Sequence, residues 1–204
     1  MLGALLESPP RRALRAPPCI FRAHGCPCGY YTDPTRQCRC TPFQIQRCIS
    51  KISGPLLDRI DIHIAVPRVK YRELKRAQGG ASSAEVRRDV AAARAVQAER
   101  FNRSKVNVNA RMSARQVKKH CELTPGAERL LGSQMESENL SARAYVRVLK
   151  VARTIADLSA VSPAEASAKE GAGAKPDRAV DADIKTEHVA EAIQYRTLDR
   201  DLWA

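Results

Sequence analysis

LSARAYVRVLKVARTIADLS, residues 140–159, is the stretch from which the rest of the chain is read. Tyr145, Val148, Leu149, Ala152, Ile155 and Ala156 recur at intervals of three and four, so one apolar stripe runs along a predicted helix. Ser141 stands where an N-cap belongs, because its hydroxyl can accept a backbone N–H of the first turn. Arg143 lies in that first turn, at the helix end whose dipole disfavours a cation.

The neighbouring segments carry the same kind of signal. Ser82-x-x-Glu85 is a capping box that opens a helix to about Arg100. Ser113 caps a short helix to Cys121. Thr124-Pro125 opens another, with Leu130, Leu131 and Met135 as its apolar face. Residues 160–183, AVSPAEASAKEGAGAKPDRAVDAD, have the composition of a disordered linker. Thr186 then caps a last helix through about Tyr195, apolar at Val189, Ala192 and Ile193.

Upstream the period changes. A short helix runs from Thr41, with Pro42 at its first position, to about Ile52. Ser53-Gly54-Pro55 breaks the chain. Ile60, Ile62, Ile64 and Val66 then alternate with Asp61, His63 and Ala65 as in a half-buried strand, which Pro67 ends. The predicted fold class is an α/β remnant followed by a mainly α-helical domain. Residues 1–25 are irregular, 26–81 form the α/β part with a cysteine loop, and 82–159 are helical. A linker over 160–183 leads to a final helical segment, 184–204.

Composition narrows the function. Of 204 residues, 35 are Lys or Arg and 22 Asp or Glu, giving a net charge of +13. Residues 1–80 hold 14 basic and 5 acidic groups, 81–159 hold 15 and 8, and 160–204 hold 6 and 9. A basic front suits a polyanion, either nucleic acid or nucleotide phosphates, against the alternative of an ordinary solvated surface. No apolar run is long enough to span a membrane. The first residues, MLGALLESPPRRALRAPP, place their charges after the apolar stretch, the reverse of a signal peptide, so the expected compartment is the cytoplasm. No G-x-x-x-x-G-K-[ST] occurs, so the sequence has no backbone cradle for phosphates.

Seven cysteines in a reducing compartment point to ligands or core thiols rather than disulfides. Cys26-Pro27-Cys28 and Cys38-Arg39-Cys40 form C-x-C-x9-C-x-C, four sulfurs on one short loop able to surround a tetrahedral zinc. The alternatives are four metal-free thiols or a disulfide; structural zinc is favoured over both. Four sulfur ligands leave no open position, which excludes a catalytic zinc. Cys19, Cys48 and Cys121 fall outside the pattern.

Two arginines are candidates for phosphate contacts. Arg59, in Gly54-Pro-Leu-Leu-Asp-Arg-Ile-Asp61, is expected at the entrance to the strand, a geometry suiting an arginine finger aimed at a neighbouring subunit's γ-phosphate. A salt bridge to Asp58 or Asp61 is the alternative, and from this segment alone it is the favoured one. Arg143 would be favoured by an anion at its helix terminus, and phosphate is the natural candidate. Pairing with Glu136 or Glu138 is the alternative.

CPCGYYTDPTRQCRCTPFQIQRCISKISGPLLDRIDIHIAVPRV (26–69), SSAEVRRDVAAARAVQAERF (82–101), LSARAYVRVLKVARTIADLS (140–159) and EHVAEAIQYR (187–196) together resemble the YifB/ComM proteins, magnesium-chelatase-like AAA+ ATPases. The resemblance covers residues 26–159 and 184–200. It implies the distal part of the AAA+ α/β module, the helical lid and the family's C-terminal domain. By position Arg59 in LLDRID matches the arginine finger and Arg143 in LSARAY the sensor-2 arginine. Cys26, Cys28, Cys38 and Cys40 match a cysteine loop of the family. ATP with magnesium, a homo-hexameric ring and branch migration of DNA during natural transformation are likewise implied.

The chain departs from the family pattern in three places. His24-Gly25 replaces the Asn-Pro that precedes CPCG, putting an imidazole where a carboxamide would polarise the attacking water. Residues 1–23 are Pro/Arg-rich where an apolar strand belongs, as a foreign or frame-shifted start would be. Residues 160–183 exceed the expected short connection. The expectation is thus the C-terminal portion of an ATP-driven motor, acting on DNA and inactive as an ATPase alone. The alternatives are a zinc-stabilised nucleic-acid-binding module or a non-functional truncated product.

Overall fold

The computed structural model describes residues 23–31, 33, 35–64, 66, 69, 75, 80–102, 104–137, 140–161 and 182–196. Cys19, Ala65, Pro67, Glu138 and most of the 160–183 segment lie outside them. The chain divides into two compact units, Met1–Cys48 and Ile49–Ala204.

The first unit carries the cysteine loop and helix α1 (Pro42–Ile49), which opens where Thr41-Pro42 predicts. Thr41 caps it: the Gln44 N–H donates to Thr41 Oγ1 at 3.3 Å, and the Thr41 N–H donates to Gln44 Oε1 at 3.0 Å.

The second unit is helical. It contains α2 (Gly54–Leu57), α3 (Ser83–Arg100), a 3₁₀ turn (Asn109–Arg111), α4 (Ala114–His120), α5 (Pro125–Ser137), α6 (Ala142–Val161) and α7 (Thr186–Gln194). Local chemistry sets the helix starts. Ser82 and Glu85 form the predicted capping box of α3, and Ser113 and Gln116 form one at α4. Thr124 Oγ1 accepts from the Ala127 N–H at 3.4 Å to open α5. Helix α7 differs from expectation. Thr186 is its first helical residue and Lys185 its N-cap, and the Lys185 N–H donates to His188 Nδ1 at 3.2 Å.

Helix α6 is the spine, packing against α3, α4, α7 and the 3₁₀ turn. Val148, Leu149, Ala152, Ile155 and Ala156 are buried along it, as the stripe predicts, whereas Tyr145 remains 37% exposed. Small residues set the helix spacing, for Ala127, Ala144, Ala152 and Ala192 are all buried at contacts where a longer side chain would hold the helices apart. Leu131, Ile184, Val148 and Val189 fill the centre. Truncating one such residue to alanine typically costs about 2–5 kcal/mol.

Ile184 is part of this core. The Ile184 N–H donates to Glu122 O at 2.9 Å and the Thr124 N–H to Ile184 O at 3.1 Å, an isolated parallel bridge between Leu123 and Ile184. Gly126 permits the close approach there, since a Cβ on it would stand 2.8 Å from Thr186 Oγ1.

The expected strand is not formed. Among the described residues no β-strand occurs, and Ile62, Ile64 and Val66 are 46%, 66% and 87% exposed. Period-two alternation specifies a face, but a strand exists only through ladder partners, and the described residues offer none. The backbone here is held instead by single bonds, such as His63 N–H to Tyr195 O at 2.7 Å. The Gly54-Pro55 expectation is corrected as well: proline takes an early position of helix α2, where its missing N–H costs nothing.

A buried polar cluster lies beneath α6. Arg100 makes a bidentate pair with Asp157, at 2.7 Å to Oδ2 and 2.6 Å to Oδ1, both side chains fully buried. Arg153 joins from the same helix, Nε to Asp157 Oδ1 at 3.1 Å, and donates to Ala182 O at 2.5 Å. Asn109 donates to Asp157 Oδ2 at 2.8 Å and to Thr154 Oγ1 at 3.1 Å, and accepts from Arg100 at 3.0 Å. Two guanidiniums therefore share one carboxylate.

Candidate functional site

Arg59 is fixed by the end of α2 rather than by a strand. Asp58 is the C-cap of α2, and the Arg59 and Ile60 N–H groups donate back to Leu56 O at 2.9 Å and Leu57 O at 3.0 Å. The turn so formed is fastened on both sides. Asp58 Oδ2 accepts from Ser141 Oγ at 3.0 Å, and Asp58 Oδ1 lies 3.8 Å from the Arg196 guanidinium. Arg196 also donates to Ile60 O at 3.0 Å, and Asp61 pairs with Arg147.

This settles the partners of the two acidic neighbours. Asp58 and Asp61 are engaged by Ser141, Arg196 and Arg147, so neither serves Arg59. Arg59 is exposed, with no ion-pair partner among the described residues.

Arg143 is the second residue of α6 and is likewise exposed, without an ion pair among the described residues. The Ala144 N–H donates to Ser141 Oγ at 3.1 Å, which confirms Ser141 as the cap. The carboxylate of Asp58, hydrogen-bonded to that same hydroxyl, already supplies an anion at the positive end of the helix. What Arg143 can offer an incoming phosphate is therefore its guanidinium, more than free helix-terminal amides.

Arg59 follows Asp58 directly, and Arg143 stands two residues after Ser141. The Asp58–Ser141 bond thus joins the two candidate segments at one edge of the second unit. Sequence reasoning identified Ser141 only as a cap and Asp58 only as an ion-pair partner for Arg59, and it missed the Asp58–Ser141 bond and Arg196, because these contacts span 83 and 136 residues of chain.

In the first unit the four cysteines converge. Their sulfurs all lie within 4.8 Å of one another, with Cys26–Cys28 at 3.3 Å, Cys28–Cys38 at 3.6 Å and Cys38–Cys26 at 3.7 Å. Zinc–sulfur bonds of about 2.3 Å at tetrahedral angles put sulfurs about 3.8 Å apart, so the spacing fits a metal of that kind. Gly29 allows the loop to close, with φ +75° in the left-handed region, and its N–H donates to Cys26 O at 3.2 Å. The Tyr31 N–H donates to Cys26 Sγ at 3.3 Å, as outer-shell amides do around thiolate sites. Arg36 covers the Tyr30 ring at 4.6 Å.

The thiols differ in acidity. The Tyr30 backbone N–H, helped by a hydrogen bond with Cys26, lowers Cys28 to about 6. At Cys40 the Cys28 backbone N–H favours the thiolate, but burial and hydrogen bonds with Cys28, Cys38 and Cys26 outweigh it and push the thiol up to about 12. Crowded sulfurs resist accumulating charge, which a bound dication would neutralise. The thiols of Cys26, Cys28, Cys38, Cys40, Cys48 and Cys121 are free of disulfides.

Two family models match. Residues 17–74 match the magnesium chelatase subunit ChlI, and residues 80–170 match the C-terminal part of that subunit. The sequence is thus of the magnesium-chelatase type in both units. The relatives narrow the assignment. Over 175 residues, 85% of this chain, it is 35% identical to an uncharacterized protein YifB of Salmonella typhimurium and 33% identical to competence protein ComM of Haemophilus influenzae. Over 140 residues, 69% of the chain, it is 32% identical to an uncharacterized protein of Mycobacterium tuberculosis, Rv2897c. The chain belongs to the YifB/ComM family of magnesium-chelatase-like proteins. It spans 29% of the length of the first two relatives and 27% of the third. Among the described residues no helix is long and apolar enough to cross a membrane.

Proposed function

We propose that this chain supplies the phosphate-sensing arginines and helical lid of an ATP-driven, magnesium-dependent motor acting on DNA. Arg59 serves as an arginine finger and Arg143 as a sensor-2 arginine. The supporting observation is the Asp58–Ser141 bond, which holds both segments together while leaving both guanidiniums exposed. Asp58 and Asp61 are engaged by Ser141, Arg196 and Arg147, and neither Arg59 nor Arg143 has an ion pair among the described residues. A guanidinium meets phosphate oxygens in bidentate fashion and counters charge as it moves to the leaving oxygen.

The sequence contains no phosphate-binding loop. In this reading the triphosphate and its magnesium are held by residues outside this sequence, in a homo-hexameric ring where one subunit's edge meets its neighbour's nucleotide. The name of the Haemophilus relative, a competence protein, favours competence as the setting, and the family resemblance adds branch migration of DNA. The cysteine loop holds structural zinc, and its disulfide-free thiols suit the cytoplasm.

Complementation tests this reading. A family member that has the phosphate-binding loop, with its own finger and sensor arginines changed to alanine, is assayed for ATP hydrolysis with and without this chain. Added chain is expected to restore turnover, and its Arg59→Ala and Arg143→Ala variants are expected to fail. Removing such a charge-stabilising group typically costs about 10³-fold or more in rate. Restoration by both variants, or none by the unaltered chain, would rule the assignment out.

A further inference from the structure

From Phe101 to Cys121 the sequence, FNRSKVNVNARMSARQVKKHC, contains no aspartate or glutamate. Lys105, Arg111, Arg115, Lys118 and Lys119 are all exposed there, with no ion pair among the described residues. Arg115, Lys118 and Lys119 are spaced i, i+3 and i+4, so they share the outer face of α4, while Val117 and His120 face the core. Like charges at that spacing repel, and nothing acidic within the segment offsets them.

The segment is held rigidly. Asn109, 1% exposed, is locked to Asp157, Thr154 and Arg100, and its N–H donates to Gln97 Oε1 at 3.3 Å. The Gln116 side chain donates to Ser104 Oγ at 3.2 Å, bringing Lys105 beside α4. Lys150 supports the turn from below, donating to Ala110 O at 3.1 Å. The backbone that carries these cations is therefore tied to α3 and α6 at several points. Glu128, lining a groove of about 440 Å³ with Lys118, Val117 and Tyr145, is an acidic neighbour across from this face.

We propose that Lys105, Arg111, Arg115, Lys118 and Lys119 form a docking surface for the sugar-phosphate backbone of duplex DNA. The proposal rests on the motor reading above for its choice of DNA, and adds the face of the chain that touches it. A protein partner would need aromatic or apolar anchors, and a lipid surface an apolar face beside the charges. The outer side of α4 is Ala114, Arg115, Lys118 and Lys119, and the apolar groove beside it, with Tyr145, Val146 and Leu149, is lined by Lys118 alone of the five cations. Phe101, the aromatic of this segment besides the buried His120, is itself buried against the His120 ring at 5.6 Å, so the segment presents no run of exposed aromatics of the kind that stacks successive bases of a single strand. A regular array of phosphates is the ligand that charge alone satisfies.

Fluorescence anisotropy of a labelled duplex, titrated with the full chain at several KCl concentrations, tests this. Five phosphate contacts give a slope of log K against log salt of about −4.5, and R115Q/K118Q/K119Q lowers it to about −1.8. The control R87Q/R88Q/R94Q removes the same charge from exposed positions on α3 and is expected to keep the steeper slope. Circular dichroism and urea midpoints, expected to be unchanged for surface changes, check that each variant folds. Equal loss in both variants overturns the assignment in favour of diffuse charge. Duplex binding untouched by R115Q/K118Q/K119Q overturns this surface and leaves a DNA-acting motor standing. No duplex binding at low salt, or equal binding of polyglutamate, overturns the duplex-DNA assignment, whereas ATP complementation is scored separately.

Discussion

Ser141 Oγ donates to Asp58 Oδ2 at 3.0 Å and accepts from the Ala144 N–H at 3.1 Å. One hydroxyl, with one proton and its lone pairs, caps α6 and anchors the turn that carries Arg59. Uncapping that helix and loosening the turn that carries Arg59 are consequently the same event, which ties stability at this edge to the proposed phosphate-sensing role.

Ser141→Ala is expected to lower stability by about 1 kcal/mol, the usual worth of a side-chain N-cap. Urea denaturation followed by circular dichroism measures it. Limited proteolysis near Arg59 should speed up in the variant, because Asp58 loses its bond to α6. A variant as stable and as resistant as the unaltered chain would show the bond to be inconsequential.

Arg143→Ala should move stability and function in opposite directions. Removing a cation from the first turn of α6 relieves an unfavourable dipole interaction of about 0.3–1 kcal/mol. Melting temperature is expected to rise slightly while support of ATP hydrolysis is lost. A fall in melting temperature would mean that the guanidinium serves the fold, contrary to its proposed role.

Asp157→Asn leaves Arg100 and Arg153 buried without a counter-charge. Breaking a buried pair by removing one partner costs about 3–5 kcal/mol, a large part of a small domain's stability. Chemical denaturation should place the midpoint far below that of the unaltered chain, and the segment around Asn109 should lose protection from hydrogen exchange. A shift below about 1 kcal/mol, the scale of a surface pair, would contradict the buried geometry.

Zinc binding at the cysteine loop should weaken as the solution is acidified. The Cys28 thiol, lowered to about 6 from 9.0, keeps its thiolate across neutral pH and takes up a proton as pH falls through about 6. Protons then compete with the metal for all four sulfurs, so occupancy declines in that direction. Metal analysis after dialysis at pH 7.5 is expected to find one zinc per chain, and at pH 5 much less. Cys38→Ser should lower the neutral-pH value. Zinc-free protein at pH 7.5, folded as before, would remove the metal from the first unit.

Several elements were legible because their causes are local. Ser82 with Glu85 and Ser113 with Gln116 are side-chain-to-backbone bonds within one turn, and a short sequence window contains them whole. The stripe from Val148 to Ala156 works the same way, since 3.6 residues per turn dictates one buried face. The sulfur cluster was also readable, because two C-x-C pairs on a loop with Gly29 can close on one point. Arg153 and Asp157, four apart on α6, could have been paired in advance, but Arg100 lies 57 residues from that aspartate.

Alternation at Ile60, Ile62, Ile64 and Val66 shows where locality ends. That pattern states which side chains would share a face, yet a strand depends on a ladder of hydrogen bonds from a partner strand, and among the described residues only single bonds such as His63 N–H to Tyr195 O reach this segment. The two arginines make the same point in reverse. Sequence put Arg59 beside Asp58 and Asp61, where an internal salt bridge was the simpler outcome.

The amino-acid sequence by itself determined helices α3 to α6 with their caps, the apolar stripe and the thiol quartet, because each is fixed by groups a few residues apart. Only the tertiary structure decided that Asp58 turns to Ser141 and Arg196, and Asp61 to Arg147, leaving Arg59 exposed. Competition among partners more than 80 residues away is resolved by packing, and no local rule encodes its winner.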